Sequence, residues 1–245
     1  FPLWAGETLQ GEQNSLNKPA SPSTGSFDGN RIYTDLENNG MVVSHRITGH
    51  SGMEWPQGSG KYAVFASGIW MAGKVDGDIR TAVAEYQPEF TSGPYDTDGN
   101  NAADVLFKVN KVDLQDPEAN PDFANWPVDN GAPWVDEDAD GVYTPMPAGP
   151  DHPEFIGDQV IFYVMHDALE TNHSTFNTDP LGIEVQMTIW GYDRNDAFGD
   201  MVFVRARIYN MGGNDIKDTY LGRKLRGLSG YYPFLQSGIG RCLPR

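Results

Sequence analysis

The clearest alternation of apolar and polar positions runs through IEVQMTIWGY, residues 183–192. Ile183, Val185, Met187 and Ile189 fall on one face, and Glu184, Gln186 and Thr188 on the other. That period of two is the mark of a half-buried strand. MVFVRARIY, residues 201–209, repeats it with Val202, Val204, Ala206 and Ile208 on one side, and residues 210–213 then turn the chain into a third strand, IKDTYL. VIFYVM, residues 160–165, is a further strand. Within residues 61–86 two apolar runs flank Asp76-Gly77, a dipeptide that accepts the positive φ angles of a type I′ turn, which predicts a β-hairpin. No segment carries a helical period of useful length. The pattern predicts an all-β fold: an antiparallel β-sandwich, immunoglobulin- or fibronectin-like or jelly-roll-like, with long loops.

Other stretches lack such periods. Residues 1–30 are polar and rich in Asn, Ser, Pro and Gly, and read as an N-terminal arm or linker. Residues 31–221 form the β-rich domain. Inside it, residues 87–158 hold many Pro, Asp, Asn and Gly and little periodicity. An ordered loop of that length needs ties, and bound ions with buried Trp126 and Trp134 are the expected ones. Residues 222–245 change character, with Arg223, Lys224, Arg226, Arg241 and Arg245 and no acidic residue. This basic tail reads as a truncation or frameshift product in preference to a docking tail. The opening FPLWAGETLQGEQ reads as a mature N-terminus after cleavage or as a fragment edge.

Charge narrows the partners. The chain of 245 residues has 34 acidic and 17 basic side chains, a formal net charge of −17. Such a field repels phosphate backbones and anionic lipid, so neither nucleic acid nor a membrane surface is expected as a partner. No apolar run approaches the ~18 residues that cross a bilayer. A single cysteine, Cys242, excludes an internal disulfide, a cysteine-based zinc site and an iron–sulfur cluster.

The strongest chemical motif is DEDADGVY, residues 136–143. Asp136, Asp138 and Asp140 at alternate positions, followed by Gly141, match the first half of an EF-hand-type calcium loop, and the Val142 carbonyl would add an oxygen. Position 12 of such a loop is Pro147 and no helices flank it, so a closing carboxylate must come from Asp151, Glu154 or Asp158. Of these Asp158 completes the expected ligand set, and calcium is the expected, structural, cofactor. A second acidic turn, residues 96–100 with Asp104, has its Gly one position early and is a weaker site. HDALETNH, residues 166–173, lacks the HExxH spacing and reads as a loop bonded to its own backbone. Gly58-Ser59-Gly60-Lys61 is not a phosphate loop, because Trp55 and Tyr62 stand where Gly and Ser/Thr are needed. No GxSxG elbow is present, and Glu54, Glu85 and Glu184 are carboxylates with nothing to mark them as a glycosidase pair. Trp55, Trp126 and Trp134 each lie near a proline in loops, where sugar stacking and core packing compete, and core packing is favoured.

Four stretches carry a family likeness: GMEWPQGSGKYAVFASGIWMAGKVDGDIRTAVAEY, PDFANWPVDNGAPWVDEDADGVYTP, IGDQVIFYV and DPLGIEVQMTIWGYDRNDAFGDMVFVRARIYN. Over roughly residues 50–221 the chain resembles large secreted or surface proteins of bacteria with type IX secretion, which carry β-sandwich modules and often end in a sorting domain. The resemblance implies export to the cell surface or medium and calcium at Asp136, Asp138 and Asp140. The chain departs from that pattern after Leu221, and no activity comes with the likeness.

The expectation from the sequence is therefore a noncatalytic, calcium-stabilised module of a secreted or cell-surface bacterial protein, binding a glycan or a surface protein. The rival readings are an extracellular hydrolase of polysaccharide or protein, and a structural subunit of a surface layer or filament.

Overall fold

The computed structural model describes residues 23–43, 51–84, 88–99, 104–227 and 230–234, with side chains as far as residue 223. Residues 1–22, Glu85, Asn100 and the segment from 235 on, Cys242 included, lie outside the described residues.

The chain opens with β1 (Thr24–Phe27), β2 (Tyr33–Glu37), β3 (Met53–Glu54), β4 (Tyr62–Val75) and β5 (Asp78–Val83). Two short strands follow, β6 (Thr91–Ser92) and β7 (Phe107–Asn110), and then α1 (Pro121–Ala124), a single turn of helix. The second half holds β8 (Trp134–Val135), β9 (His152–Pro153), β10 (Gln159–His166), β11 (Ile183–Gly191), β12 (Phe203–Asn210), β13 (Lys217–Gly227) and β14 (Gly230–Phe234). Every pairing between these strands is antiparallel.

They form an all-β sandwich of two open sheets. In the first, β4 is central: β3 and β5 share one edge of it and β13 takes the other, so the order runs β1-β2-β3-β4-β13-β14 with β5 beside β4. Asp76 (φ 54°) and Gly77 (φ 96°) make the turn between β4 and β5 with both angles positive, as a type I′ hairpin requires. The second sheet runs β12-β11-β10, with β6 and β7 on the far edge of β10. β13 leaves β12 for the first sheet, which joins the two layers. It crosses from residue 221 into the basic segment and pairs with β4 as far as Gly227.

The alternating residues meet where the sheets face each other. Ile183, Val185, Met187 and Ile189 pack with Ile161, Tyr163 and Met165 of the second sheet against Phe27, Leu36, Ile69, Met71 and Val75 of the first. Val202, Val204, Ala206 and Ile208 flank this core, partly buried.

The other face of β11 differs from the half-buried strand its pattern predicts. Glu184, Gln186 and Thr188 are also buried: Tyr95 donates its N–H to Glu184 at 3.1 Å, and residues 111–156 fold over the outside of β10 and β11 as a third layer. Phe123 of α1, Trp126 and Ala132 pack there on Val160, Phe162 and Val164. The Trp126 indole is capped by the Pro133 carbonyl at 2.9 Å. Aromatic burial, at roughly 1.5–3 kcal/mol per large side chain, thus holds much of the long loop in place.

Candidate metal centre

The acidic loop rises from the two-stranded ribbon of β8 and β9. Trp134 pairs with Pro153 and Val135 with His152, so Asp136 and Asp151 occupy the next facing positions beyond the ribbon. Asp136, Asp138 and Asp151 each bring a carboxylate oxygen to within 4.8 Å of the other two.

The aspartates also brace the loop itself. The two oxygens of Asp136 accept the N–H groups of Asp140 at 3.2 Å and Gly141 at 2.9 Å. Asp138 accepts the Asp140 N–H at 3.4 Å, and Asp140 accepts that of Val142 at 2.7 Å. Left-handed backbone at Ala139 (φ 59°) and Gly141 (φ 77°) bends the chain around these carboxylates; glycine meets that requirement at residue 141 without a Cβ penalty. Tyr143 anchors the far side. Its hydroxyl donates to the Phe123 carbonyl at 2.8 Å, and its ring meets Trp134 edge-on at 5.4 Å.

Asp151 is fully buried. One oxygen accepts the Glu137 N–H at 3.1 Å and the other the Thr144 N–H at 2.7 Å. A buried carboxylate costs several kcal/mol unless its charge is met. Among the described residues no lysine or arginine pairs with Asp136, Asp138 or Asp151; the His152 ring nitrogen Nε2 lies 3.5 Å from Glu137 Oε1 beside the loop. Lost hydration, together with the charges of Asp140, Asp151 and Asp136, pushes the Asp138 carboxyl above its ordinary value, against the pull of the Asp140 N–H. An oxygen-only set of three carboxylates on an irregular loop is the donor chemistry of a hard divalent cation, and Asp136, Asp138 and Asp151 are the residues that fit one.

Two of the expected ligands, Asp136 and Asp138, therefore converge. Asp140 turns an oxygen back to the loop's own backbone, and the Val142 side chain is exposed. Asp158 does not join this group. It stands at the entry to β10, where its carboxylate accepts the Asp193 N–H at 2.8 Å and its backbone bonds Gly191 and Lys111. The compact turn at residues 145–150 returns the chain to the loop earlier, at Asp151, whose backbone bonds Thr144 and Met146. Spacing left Asp151 one of three candidates; only the register of β8 against β9 singles it out.

The other motifs resolve structurally. The HDALETNH segment is bonded to backbone, as its composition predicts. Asp167 accepts the N–H groups of Leu181, Gly182 and Ile183 at 2.6–3.0 Å, and His173 Nε2 meets the Asp167 carbonyl at 2.8 Å. Burial pushes the Asp167 carboxyl up, with those three amides and His173 opposing. Glu89, which has no motif around it, is fully buried and lies 3.8 Å from His173. Glu54 lies on β3 in the first sheet and Glu184 on β11 in the second. Around the weaker acidic turn, no second group of three carboxylates gathers among the described residues.

No protein-family model, no curated protein and no solved structure matches the chain. Its function has to be argued from its own residues.

Proposed function

We propose that the chain is a noncatalytic module of a secreted or cell-surface bacterial protein, a β-sandwich braced by calcium that presents loops for adhesion or ligand binding. The observation that carries the calcium reading is the fully buried Asp151 carboxylate held within 4.8 Å of Asp136 and Asp138. Calcium would neutralise the three charges and fasten the loop at 136–143 to the ribbon beneath it. Through Tyr143 and Trp134 that fastening reaches the aromatic layer over β10 and β11. Export to the cell surface is supported by the family likeness and suits an oxygen-only staple, since millimolar calcium outside cells fills weak sites of this kind. With little intrinsic order in the loop, the cation's preference for the folded state contributes to stability directly.

The test is thermal unfolding with millimolar calcium and with chelator. A melting temperature several degrees higher in calcium, lost in Asp151→Asn, supports the reading. Identical melting in both conditions removes the cation from it.

A further inference from the structure

Trp55 is 46% exposed, and it is the one exposed tryptophan among the described residues. Its ring is nonetheless fixed. The indole Nε1 donates to Asp200 Oδ1 at 2.8 Å, and Asp200 is held by the fork of Arg31, whose Nε reaches Oδ1 at 2.8 Å and whose Nη2 closes on Oδ2. The Arg31 backbone is tied to Gly199 at 3.1 Å and to Gln57 at 2.7 Å. The Arg31 and Trp55 hydrogen bonds hold the Asp200 carboxyl below its ordinary value, so this brace stays charged at neutral pH. Phe198 and Met201 are exposed on the same loop as Asp200, with the Arg194 guanidinium 5.2 Å from the Phe198 ring centre. A rigid, half-open indole loses little conformational entropy when a ligand stacks on it.

A polar cleft of about 880 Å³ adjoins this surface. Asn30, Lys111, Gln115, Asp158 and Asp193 line it, over a floor made by Gln159. The floor is locked: the Gln159 amide donates to Asp28 at 2.7 Å and to Asn110 at 2.8 Å. Asn30 joins cleft to platform by donating to the Met201 carbonyl at 2.8 Å, and Asp193 directly precedes Arg194.

The chemistry of the pair selects its occupant. A mostly apolar cofactor or drug-like ligand wants an apolar pocket, and this lining is mainly carboxylate, amide and lysine, with Val112 and Leu114 as its apolar side chains. The polar groups offer donors and acceptors side by side, which is what a hydroxyl-rich ring needs at its edge, while the indole offers the apolar face that its C–H surface needs. A net charge of −17 disfavours polyanions. We propose that Trp55 and the cleft beside it form a binding site for a neutral glycan.

This inference rests on the noncatalytic surface-module reading, and the two fail differently. Native affinity electrophoresis of the full chain, in calcium, through gels containing xylan, galactomannan, dextran or hydroxyethyl cellulose tests the site. Retardation by at least one polymer is expected, reduced about tenfold or more in Trp55→Ala, the loss typical of a truncated aromatic anchor. Ile79→Ala, on β5 beside the far end of β4, should migrate as the parent does. Asp193→Ala, whose side chain is exposed in the cleft, supplies a second reading if Trp55→Ala unfolds, and it too should lose retardation. No retardation by any of the polymers, or full retardation of the folded variants, overturns the site. So does a parent that captures only protein ligands. Release of reducing ends from a retarding polymer would instead overturn the noncatalytic reading and leave the site standing.

Discussion

The carboxylate of Asp151 accepts the backbone N–H of Glu137 at 3.1 Å across a separation of 14 residues, and its other oxygen accepts that of Thr144. One buried side chain thus gathers both ends of the acidic loop. Asp151→Ala removes both acceptors as well as a ligand of the proposed cation, and losing a hydrogen bond to a charged group costs about 1.5–3 kcal/mol. The variant should unfold at clearly lower denaturant than the parent and show no calcium response. Asp151→Asn keeps the shape and part of the bonding, so its loss in chelator should be smaller. Denaturant titrations in both buffers separate the two contributions.

Calcium stabilisation should fade in acid, because its ligands must be deprotonated. The raised value of Asp138 places that loss at higher pH than for an ordinary aspartate. In chelator the sign reverses for this group. Its folded-state value exceeds the unfolded one, so protonation favours the fold as pH falls between them. The difference in melting temperature between calcium and chelator, followed from neutral pH downward, should shrink steadily; a constant difference would count against Asp138 as a ligand.

Trp126 is the largest buried side chain of the layer that covers β10 and β11. Trp126→Ala should cost about 3–5 kcal/mol. Hydrogen exchange should rise first across residues 107–156 and on the outer side of β10, while the core between the sheets stays protected. Uniform loss of protection would mean that the layer and the sandwich unfold as one unit.

A Cβ on Gly68 of β4 would lie 1.8 Å from the Ala84 carbonyl oxygen. That atom is backbone, held where Ala84 donates to the Ile69 carbonyl at 2.8 Å, so it cannot swing aside. Gly68→Ala should therefore lower stability by about 1–3 kcal/mol. An unchanged unfolding midpoint would contradict this packing of the chain leaving β5 against β4.

His166 is fully buried at the end of β10, with Nδ1 accepting the Ala168 N–H at 3.2 Å. Burial pushes its pKa down to about 4, against the smaller opposing effects of the Thr97 carbonyl and Asp96. The folded value lies below the unfolded one of about 6.5, so its contribution is complete above pH ~6.5 and is lost as pH falls toward 4. The size is on the order of 3 kcal/mol. Between pH ~7 and ~4.5 the parent should lose more unfolding free energy than His166→Gln does. Equal losses would show that folding leaves the imidazole pKa unshifted.

The sequence by itself determined the longer strands β4, β5, β10, β11 and β12 and the inner faces of β11 and β12. Alternation in residues 183–192 and 201–209 marks the residues that meet between the sheets, because a strand's two faces are set by a period of two that depends on neighbours in the chain alone. Asp76-Gly77 likewise specified its hairpin, since the required angles belong to those two residues. The convergence of Asp136 and Asp138 was legible for the same reason: one loop carries both. The fate of the outer face of β11 was not legible. Glu184, Gln186 and Thr188 look solvent-bound until Tyr95 and residues 111–156 cover this face, and that cover depends on contacts between distant segments. The placement of Asp151 beside Asp136 and Asp138, and the locking of Trp55 by Asp200 and Arg31, were decided by pairing across long separations in sequence. Local pattern fixes which way a side chain faces along its own strand; only tertiary structure fixes what stands opposite it.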